Sequence, residues 1–278
     1  MLTTKVFGRS VQRWVTSVCV LVLPGAAVAM DCGTPQLGAL AGAERSQWEE
    51  LDAQGNSLVR ERGTLKVVGL QADGTCRTVD WSAHWTLSRG GRDYDGLTST
   101  QAPFQTQSRL QAQHLAVQAW LPVRAGWSVG SQWGYRHIER DIAGKGNVLG
   151  YPERFGYWQA ALGARYQAAL GEQVRLTASA WLGGGPRGRV KLDLPRADPV
   201  TLRLGSSRLL ALGLELDGGE TATQSGWSWQ AGVSYRREQN NAGPSQTLIR
   251  NGIPVGAASQ PRFVQRHWGG TARVTYRF

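Results

Sequence analysis

Apolar and polar residues alternate strictly along several stretches of this chain. In the first stretch every second residue is apolar and the residues between them are polar. The apolar residues are Val79, Trp81, Ala83, Trp85 and Leu87. Residues 158–166 and 227–235 follow a similar pattern. A period of two places the two sets on opposite faces of a β-strand. No stretch beyond residue 29 has the roughly 18 consecutive apolar residues that a transmembrane helix needs.

Aromatic residues mark the ends of these apolar rows. Trp158 and Tyr166 bracket one row, and Trp227 and Tyr235 bracket another. Such aromatic girdles flank the apolar band of outer-membrane barrels, whereas a water-soluble core would more often hold its large rings mid-strand. The strands must close on themselves, because an open sheet edge would expose unpaired backbone groups to lipid. The pattern therefore predicts an all-β fold, a single antiparallel transmembrane β-barrel.

Ten strands account for the alternation. We place them at 40–51, 58–72, 77–90, 107–121, 127–140, 155–169, 173–190, 200–216, 226–239 and 263–278. The expected tight turns are Asp73–Cys76, Val123–Gly126 and Leu170–Glu172, and a connection of modest length is expected at Asp217–Ser225. The expected long loops are 91–106, 141–154, 187–199 and 240–262. Outer-membrane barrels have short periplasmic turns and long extracellular loops. Because the number of strands is even, both chain termini should be periplasmic.

The first 29 residues have the pattern of a secretory signal peptide. Lys5, Arg9 and Arg13 are basic, a short apolar core spans 15–23, and 27–29 are small residues suited to cleavage. An apolar core of this length cannot cross a bilayer as a helix. We therefore expect a signal peptide at 1–29 and a barrel at 30–278, located in the bacterial outer membrane.

The chain is basic, with 31 Lys and Arg against 20 Asp and Glu and a net charge of +11. The signal peptide holds three of the basic residues and no acidic one, which leaves +8 for the barrel. Outside the cytoplasm, this charge indicates membrane lipid and lipopolysaccharide, an acidic glycan or an acidic protein surface as partners, and no nucleic acid.

Two of the three cysteines, Cys32 and Cys76, lie beyond the signal peptide. An even number in an oxidising compartment predicts a disulfide. The topology agrees, because Cys32 precedes the first strand and Cys76 follows the second, so both lie at the same rim. Two thiols without further Cys or His nearby make a poor metal site. No cofactor is expected either, since the glycines at 183–185 lack the Lys and Ser or Thr of a phosphate-binding loop.

The end of the chain resembles the C-terminal signal of bacterial outer-membrane barrels. Tyr276 and the terminal Phe278 lie on the apolar face of the last predicted strand. In the barrels that carry this signal, the barrel-assembly machinery recognises the strand, so the resemblance implies that machinery as a partner during biogenesis.

The chain also resembles the omptin superfamily of ten-stranded barrels, which contains surface proteases and non-catalytic adhesins. Residues 37–42 are similar to the first omptin hairpin, 88–91 to the entry of the second loop, and 150–155 to the entry of strand six. The resemblance implies a ten-stranded barrel and raises the question of proteolysis.

Omptin proteases use an acidic pair in the second loop opposite an Asp–His pair, and together these groups activate a water molecule. Asp93 and Asp95 have the spacing of the acidic pair and are displaced from it by a few residues. Residues 183–195 contain no His, and Asp193 has no partner at the required spacing. Half of the omptin site is therefore not found.

Basic residues in the upper loops are the remaining candidates. They are Arg187, Arg189, Lys191 and Arg196 around the long loop 187–199, with Arg250 and Arg262 around the long loop 240–262. Guanidinium groups suit phosphate, sulfate and carboxylate ligands. We therefore expect an adhesin-like surface protein that binds lipopolysaccharide or an acidic glycan or protein through these loops.

Two alternatives stay open. One is an omptin-like endopeptidase that uses Asp93 and Asp95 with a histidine arranged differently. The other is a narrow pore, which is disfavoured because charged side chains facing the lumen would block it. The side chains expected there are Arg136, Arg236, Arg273, Asp80 and Glu215.

Overall fold

The computed structural model describes residues 32–98, 102–195, 197–219 and 226–278. No helix in these ranges is long and apolar enough to cross a membrane. The predicted signal peptide and Arg196 lie outside the described residues.

The described ranges contain fourteen strands. They are β1 (Gln36–Leu51), β2 (Ser57–Cys76), β3 (Val79–Leu97), β4 (Pro103–Arg124), β5 (Trp127–Ile142), β6 (Tyr151–Ala169), β7 (Val174–Gly185), β8 (Arg189–Leu192), β9 (Val200–Arg203), β10 (Ser207–Gly219), β11 (Gly226–Asn240), β12 (Gln246–Arg250), β13 (Ile253–Ala258) and β14 (Arg262–Arg277). Ten of them pair into a ring in the order β1, β2, β3, β4, β5, β6, β7, β10, β11, β14 and back to β1. All neighbours in the ring are antiparallel. The predicted ten-stranded antiparallel arrangement is confirmed.

The strand register fixes the geometry of the ring. Ile142 on β5 lies directly opposite a residue of β4, which lies opposite a residue of β3, and so on around the ring. This series of opposed residues returns to β5 at Gly130, twelve residues from Ile142. The residues on the way are Ser108, Arg92, Gly63, Ser46, His267, Arg236, Ala211, Trp181 and Gly163. For ten strands, an offset of this size corresponds to a tilt of roughly 40° from the barrel axis.

Several connections are shorter than expected, because the strands run further. The turn predicted at Asp73–Cys76 is wrong: β2 continues to Cys76, and Arg77 and Thr78 form the turn, with Arg77 at φ 55°. The long loop predicted at 91–106 is also wrong, since β3 extends to Leu97 and β4 begins at Pro103. Two of the other predicted loops hold strands of their own, β8 within 187–199 and the β12–β13 hairpin within 240–262.

The outward residues of the lower two thirds of the ring form a continuous apolar surface, which we call the apolar band. Aromatic pairs on adjacent strands border it at both edges. The upper pairs are Tyr135–Trp158 and Tyr235–Trp268, and the lower pairs are Trp127–Tyr166 and Trp227–Tyr276. On β11 the two edges lie eight residues apart, which at this tilt spans roughly 20 Å, near the roughly 25 Å apolar height of outer-membrane barrels. The predicted aromatic girdles are present.

A disulfide joins Cys32 to Cys76. The backbone amide of Gly33 also donates to the Thr75 carbonyl at 2.9 Å, so the segment before β1 is tied to the end of β2. The end of the barrel that holds this disulfide and Phe278 is called the lower rim below, and the opposite end the upper rim. The predicted placement of both cysteines at one rim is confirmed.

Removing the disulfide should destabilise the barrel. The two cysteines are 44 residues apart, and the chain-entropy model assigns about 4 kcal/mol to a closed loop of that length. We expect Cys32→Ser combined with Cys76→Ser to lower the free energy of unfolding in urea, measured in micelles, by up to this amount. Reductant should reproduce the loss in the unchanged protein and have no effect on the double variant. Equal unfolding midpoints with and without the bond would contradict the expectation.

Candidate functional site

The upper half of the barrel interior is filled by a cluster of apolar side chains, which we call the aromatic core. Trp48, Phe155 and Phe263 point inward from β1, β6 and β14 and are fully buried. The rings of Trp48 and Phe263 stack with their centroids 4.5 Å apart, and Phe155 contacts both. Leu202 and Leu204, from the β9 segment, also belong to this cluster. The lumen is therefore closed by packed side chains in its upper half.

A group of buried charges, the upper charge cluster, surrounds the aromatic core. Arg140 pairs with Glu50 and Glu61 at 2.6 Å and with Glu153 at 2.8 Å. Arg92 pairs with Glu61, also at 2.6 Å. Arg140 additionally lies 4.9 Å from the ring centroid of Trp48. Three carboxylates thus share two guanidinium groups, so the cluster has one acid in excess.

The upper charge cluster lies outside the membrane-spanning part of the barrel, because Glu50 and Glu61 are well above the apolar band on their strands. Burial would raise the pKa of Glu61, but the Arg140 and Arg92 guanidinium groups outweigh it and hold that pKa below its usual value. Burial raises the pKa of Glu153 to about 7 against the attraction of Arg140, and Glu50 and Glu61 add to the rise. Glu153 is therefore more easily protonated than Glu61.

A second group, the lower charge cluster, lies beneath the aromatic core. Glu238 accepts from both Arg136 and Arg236 and also from the Tyr157 hydroxyl at 2.8 Å. Gln159 donates to the same carboxylate at 3.2 Å. One fully buried acid thus holds two guanidinium groups, and nothing in the strand pattern alone indicated that these inward residues would meet.

Below this cluster the interior is open. A cavity of about 1160 Å³, called the chamber below, is lined by inward residues of all ten ring strands. Gly33, Thr75 and Phe278 border it at the lower rim, and Arg136 stands at its inner end. The chamber therefore opens at the lower rim and ends at the lower charge cluster. The side chains predicted to face the lumen, Arg136, Arg236, Arg273, Asp80 and Glu215, all line it.

The four histidines occupy different surroundings. His84 and His114 line the chamber, with ring centroids 5.4 Å apart. His267 also lines the chamber and faces Glu44, with Nδ1 at 3.2 Å from Oε1. His137 points outward, 3.4 Å from Glu139. Among the described residues, no group of three or more His, Cys, Asp or Glu side chains could hold a metal ion.

Asp93 and Asp95 do not lie in a loop, as the sequence had suggested. They are exposed on β3, on the outward face that continues the apolar row of Trp85 and Leu87. Their inward neighbour at this level is Tyr94, which is buried. Continuing the alternation beyond Leu87 would have predicted this orientation. The two carboxylates therefore face away from the barrel interior.

The basic residues predicted for binding fall in two separate places. Arg187, Arg189 and Lys191 are exposed at β8, where Lys191 lies opposite Arg154 and Arg189 opposite Arg203. The other two described residues lie on the last upper connection, Arg250 exposed on β12 and Arg262 half-buried at the start of β14.

Sequence reasoning missed a more regular basic feature, which we call the basic belt. On six adjacent strands, the first outward residue above the apolar band is basic. In ring order these residues are Arg208, Arg237, Arg266, Arg45, Lys66 and Arg89 on β10, β11, β14, β1, β2 and β3. Each lies two positions beyond the upper end of the apolar row of its strand, after it in the sequence on β11, β1 and β3 and before it on β10, β14 and β2. The sequence therefore did contain this signal. Arg266 pairs with Glu49 at 3.3 Å, and the other five are exposed.

No protein-family profile matches the chain, and no curated protein matches it. Solved structures similar to it include the outer membrane protease OmpT from Escherichia coli, with a TM-score of 0.48, 12% identity, and coverage of 89% of this chain and 96% of that chain. The translocator domain of autotransporter NalP from Neisseria meningitidis gives a TM-score of 0.45 at 14% identity, covering 88% of this chain and 89% of that chain. The β domain of the Bordetella autotransporter BrkA gives 0.44 at 14%, covering 89% and 100%. Each of these likenesses has a TM-score below 0.5 and an identity of 14% or less.

The excess acid in the upper charge cluster leads to a contrast between two substitutions. Glu61→Gln should destabilise the barrel by roughly 3–5 kcal/mol, because it leaves Arg92 and Arg140 without their shared partner. Glu153→Gln should lower the free energy of unfolding by less than about 1 kcal/mol at pH 8. The carboxylate that it removes is one whose ionised form is disfavoured by burial. Urea unfolding, monitored by heat-modifiable migration on gels, measures both losses of stability, with the exposed Glu139→Gln as the control. Equal losses for the two variants would contradict this account of the cluster.

Proposed function

We propose that the chain is an outer-membrane protein that binds lipopolysaccharide at the cell surface through its basic belt. The observation that supports the proposal is the position of the belt, directly above the apolar band on six adjacent strands. Lipid anchored beside the band presents its headgroup phosphates at that height. Guanidinium and ammonium groups are suited to phosphate oxygens.

The register within the belt supports an anionic ligand. Lys66 lies directly opposite Arg89, and Arg237 lies directly opposite Arg266. Like charges at directly opposed positions destabilise a sheet. A phosphate placed between the members of each pair would convert this repulsion into attraction. Arg45, which lies 6.0 Å from the ring centroid of Trp268, joins the belt to the upper aromatic girdle.

The loop residues predicted from the sequence form an outer tier of the same surface. Arg189 and Lys191, with their cross-strand neighbours Arg203 and Arg154, lie higher on the wall than the belt. Asp193 contacts two of these residues, Arg154 at 2.8 Å and Lys191 at 3.7 Å, which moderates the charge. This tier suits the more distant anionic groups of lipopolysaccharide or of an acidic glycan or protein ligand, in the manner of an adhesin.

In this proposal the lower rim and both termini of the barrel face the periplasm. The last strand then presents Tyr276 and Phe278, whose rings meet edge to face at 5.1 Å, to the barrel-assembly machinery. Deleting Phe278 should reduce the yield of heat-modifiable barrel in the outer-membrane fraction, whereas Phe278→Tyr should preserve it. Normal assembly of the truncated chain would argue against this role.

Charge removal from the belt should weaken lipopolysaccharide binding. Replacing Lys66, Arg89, Arg208 and Arg237 with Gln removes four exposed contacts, which at roughly 0.5 kcal/mol each amounts to about a thirtyfold loss of affinity. Binding of purified barrel in micelles to immobilised lipopolysaccharide measures the loss. The affinity should also fall steeply with salt, because exposed charges are screened over about 8–10 Å near physiological ionic strength.

Two controls separate the belt from charge in general and from proteolysis. Arg77→Asn with Arg124→Gln removes two charges from the lower-rim turns, and this variant should bind lipopolysaccharide normally. Asp93→Asn and Asp95→Asn should also bind normally and, like the unchanged protein, should cleave no basic peptide. Peptide cleavage that depends on either aspartate would overturn the proposal in favour of an endopeptidase.

A further inference from the structure

The inner end of the chamber combines several nitrogen donors beneath the lower charge cluster. His84 and His114 extend into it from the adjacent strands β3 and β4. Arg236 and Arg273 line it from β11 and β14. This arrangement lies inside the barrel and is separate from the belt on the outer wall.

Several residues of the chamber, His114 and Arg273 of these four among them, have a buried nitrogen without a hydrogen-bond partner. Within the described part of the chain, the chamber-lining residues that carry a buried polar atom without a hydrogen-bond partner are His114, Arg136, Arg165 and Arg273. In all four the atom is a nitrogen: Nε2 of His114 and Nε of the three arginines. Buried donors in native proteins nearly always have an acceptor. Among the described residues, the chamber therefore has four unpartnered buried nitrogens, three of them arginine N–H groups, and no unpartnered buried oxygen.

The acids that line the chamber are largely committed to other partners. Asp73 pairs with Arg273 at 3.2 Å, and Asp80 pairs with Arg165 at 2.7 Å. Glu44 faces His267. A metal cation would meet two histidines flanked by guanidinium charges, which disfavours it. An oxyanion would meet the imidazoles and guanidinium groups as donors, while Glu215, which accepts from Gln230, also lines the chamber. A cavity of about 1160 Å³ has room for the solute that bears the oxyanion.

We infer that the inner end of the chamber binds the oxyanion group, a phosphate or a carboxylate, of a small solute that enters from the lower rim. The imidazoles of His84 and His114 and the guanidinium groups of Arg236 and Arg273 supply the hydrogen bonds. The tryptophans of the wall, Trp120 and Trp181, whose ring centroids are 4.3 Å apart, provide an apolar surface for the rest of the solute. This site does not depend on lipopolysaccharide binding at the belt.

The four histidines of the chain allow a direct test. In protein labelled with ¹⁵N-histidine and held in micelles, inorganic phosphate should shift the imidazole signals of His84 and His114 in a saturable manner. His137, on the outer wall, should not shift, and chloride at equal ionic strength should shift none of them. A parallel titration with succinate distinguishes a phosphate-selective site from one that accepts carboxylates, and saturation by either supports the inference.

Variants establish where the anion binds. His84→Gln combined with His114→Gln should weaken phosphate binding, measured by calorimetry, at least about tenfold. His137→Gln and the belt variant Arg237→Gln should bind phosphate as the unchanged protein does. Since neither His84 nor His114 belongs to the charge clusters, the double variant should keep its heat-modifiable migration. Absence of saturable shifts, equal shifts at all four histidines, or unchanged affinity in a folded double variant would each overturn the inference.

Discussion

The hydrogen-bonded pairing of β5 with β6 joins the two ends of the sheet, and no strand of the ring is left with a free edge. In lipid no water is available to an exposed strand edge, and each unpaired backbone group costs several kcal/mol. Every other feature of the molecule therefore depends on the closure of the ring. Once the ring is closed, each side chain must face either the outside or the lumen. The apolar band, the belt and the chamber all result from which residues of each strand face the outside and which face the lumen.

Closure with ten strands also creates an interior that has to be filled. Eight strands leave a lumen that side chains just fill, and ten leave a wider one. The chain meets this condition in two ways. In the upper half, large rings and long charged side chains such as Trp48 and Arg140 span the space and exclude water. In the lower half, smaller polar residues such as Ser179 and Thr271 leave the chamber open. The charges buried above must therefore be paired, because an unpartnered carboxylate there would be strongly destabilising.

The strands were predictable because alternation is a local property, and most boundaries were found within a few residues. The placement of both cysteines at one rim followed from the strand count alone. The aromatic core and the charge clusters were not predictable in the same way. Whether Arg136 meets Glu238, 102 residues further along the chain, depends on the offset of the whole ring, which no single strand reveals. The outward orientation of Asp93 was different, since it needed only the parity of Leu87 to be carried six residues further.

The belt and the inner end of the chamber are built from neighbouring residues of the same strands. On β1, Arg45 faces outward and Glu44 faces the chamber. On β11, Arg237 faces outward and Arg236 faces the chamber. At this height both faces of the strand are polar, so hydrophobicity does not decide which residue points inward. The orientation is fixed lower on the strands, where the apolar rows of β1 and β11 can face only lipid. Because side chains alternate with a period of two, the same parity then faces outward at the height of the belt. A one-residue shift of either strand would turn its belt cation into the lumen and place a chamber residue at the membrane surface. The apolar band thus does more than anchor the barrel, because it sets the orientation of the charged residues that continue the same strands above it.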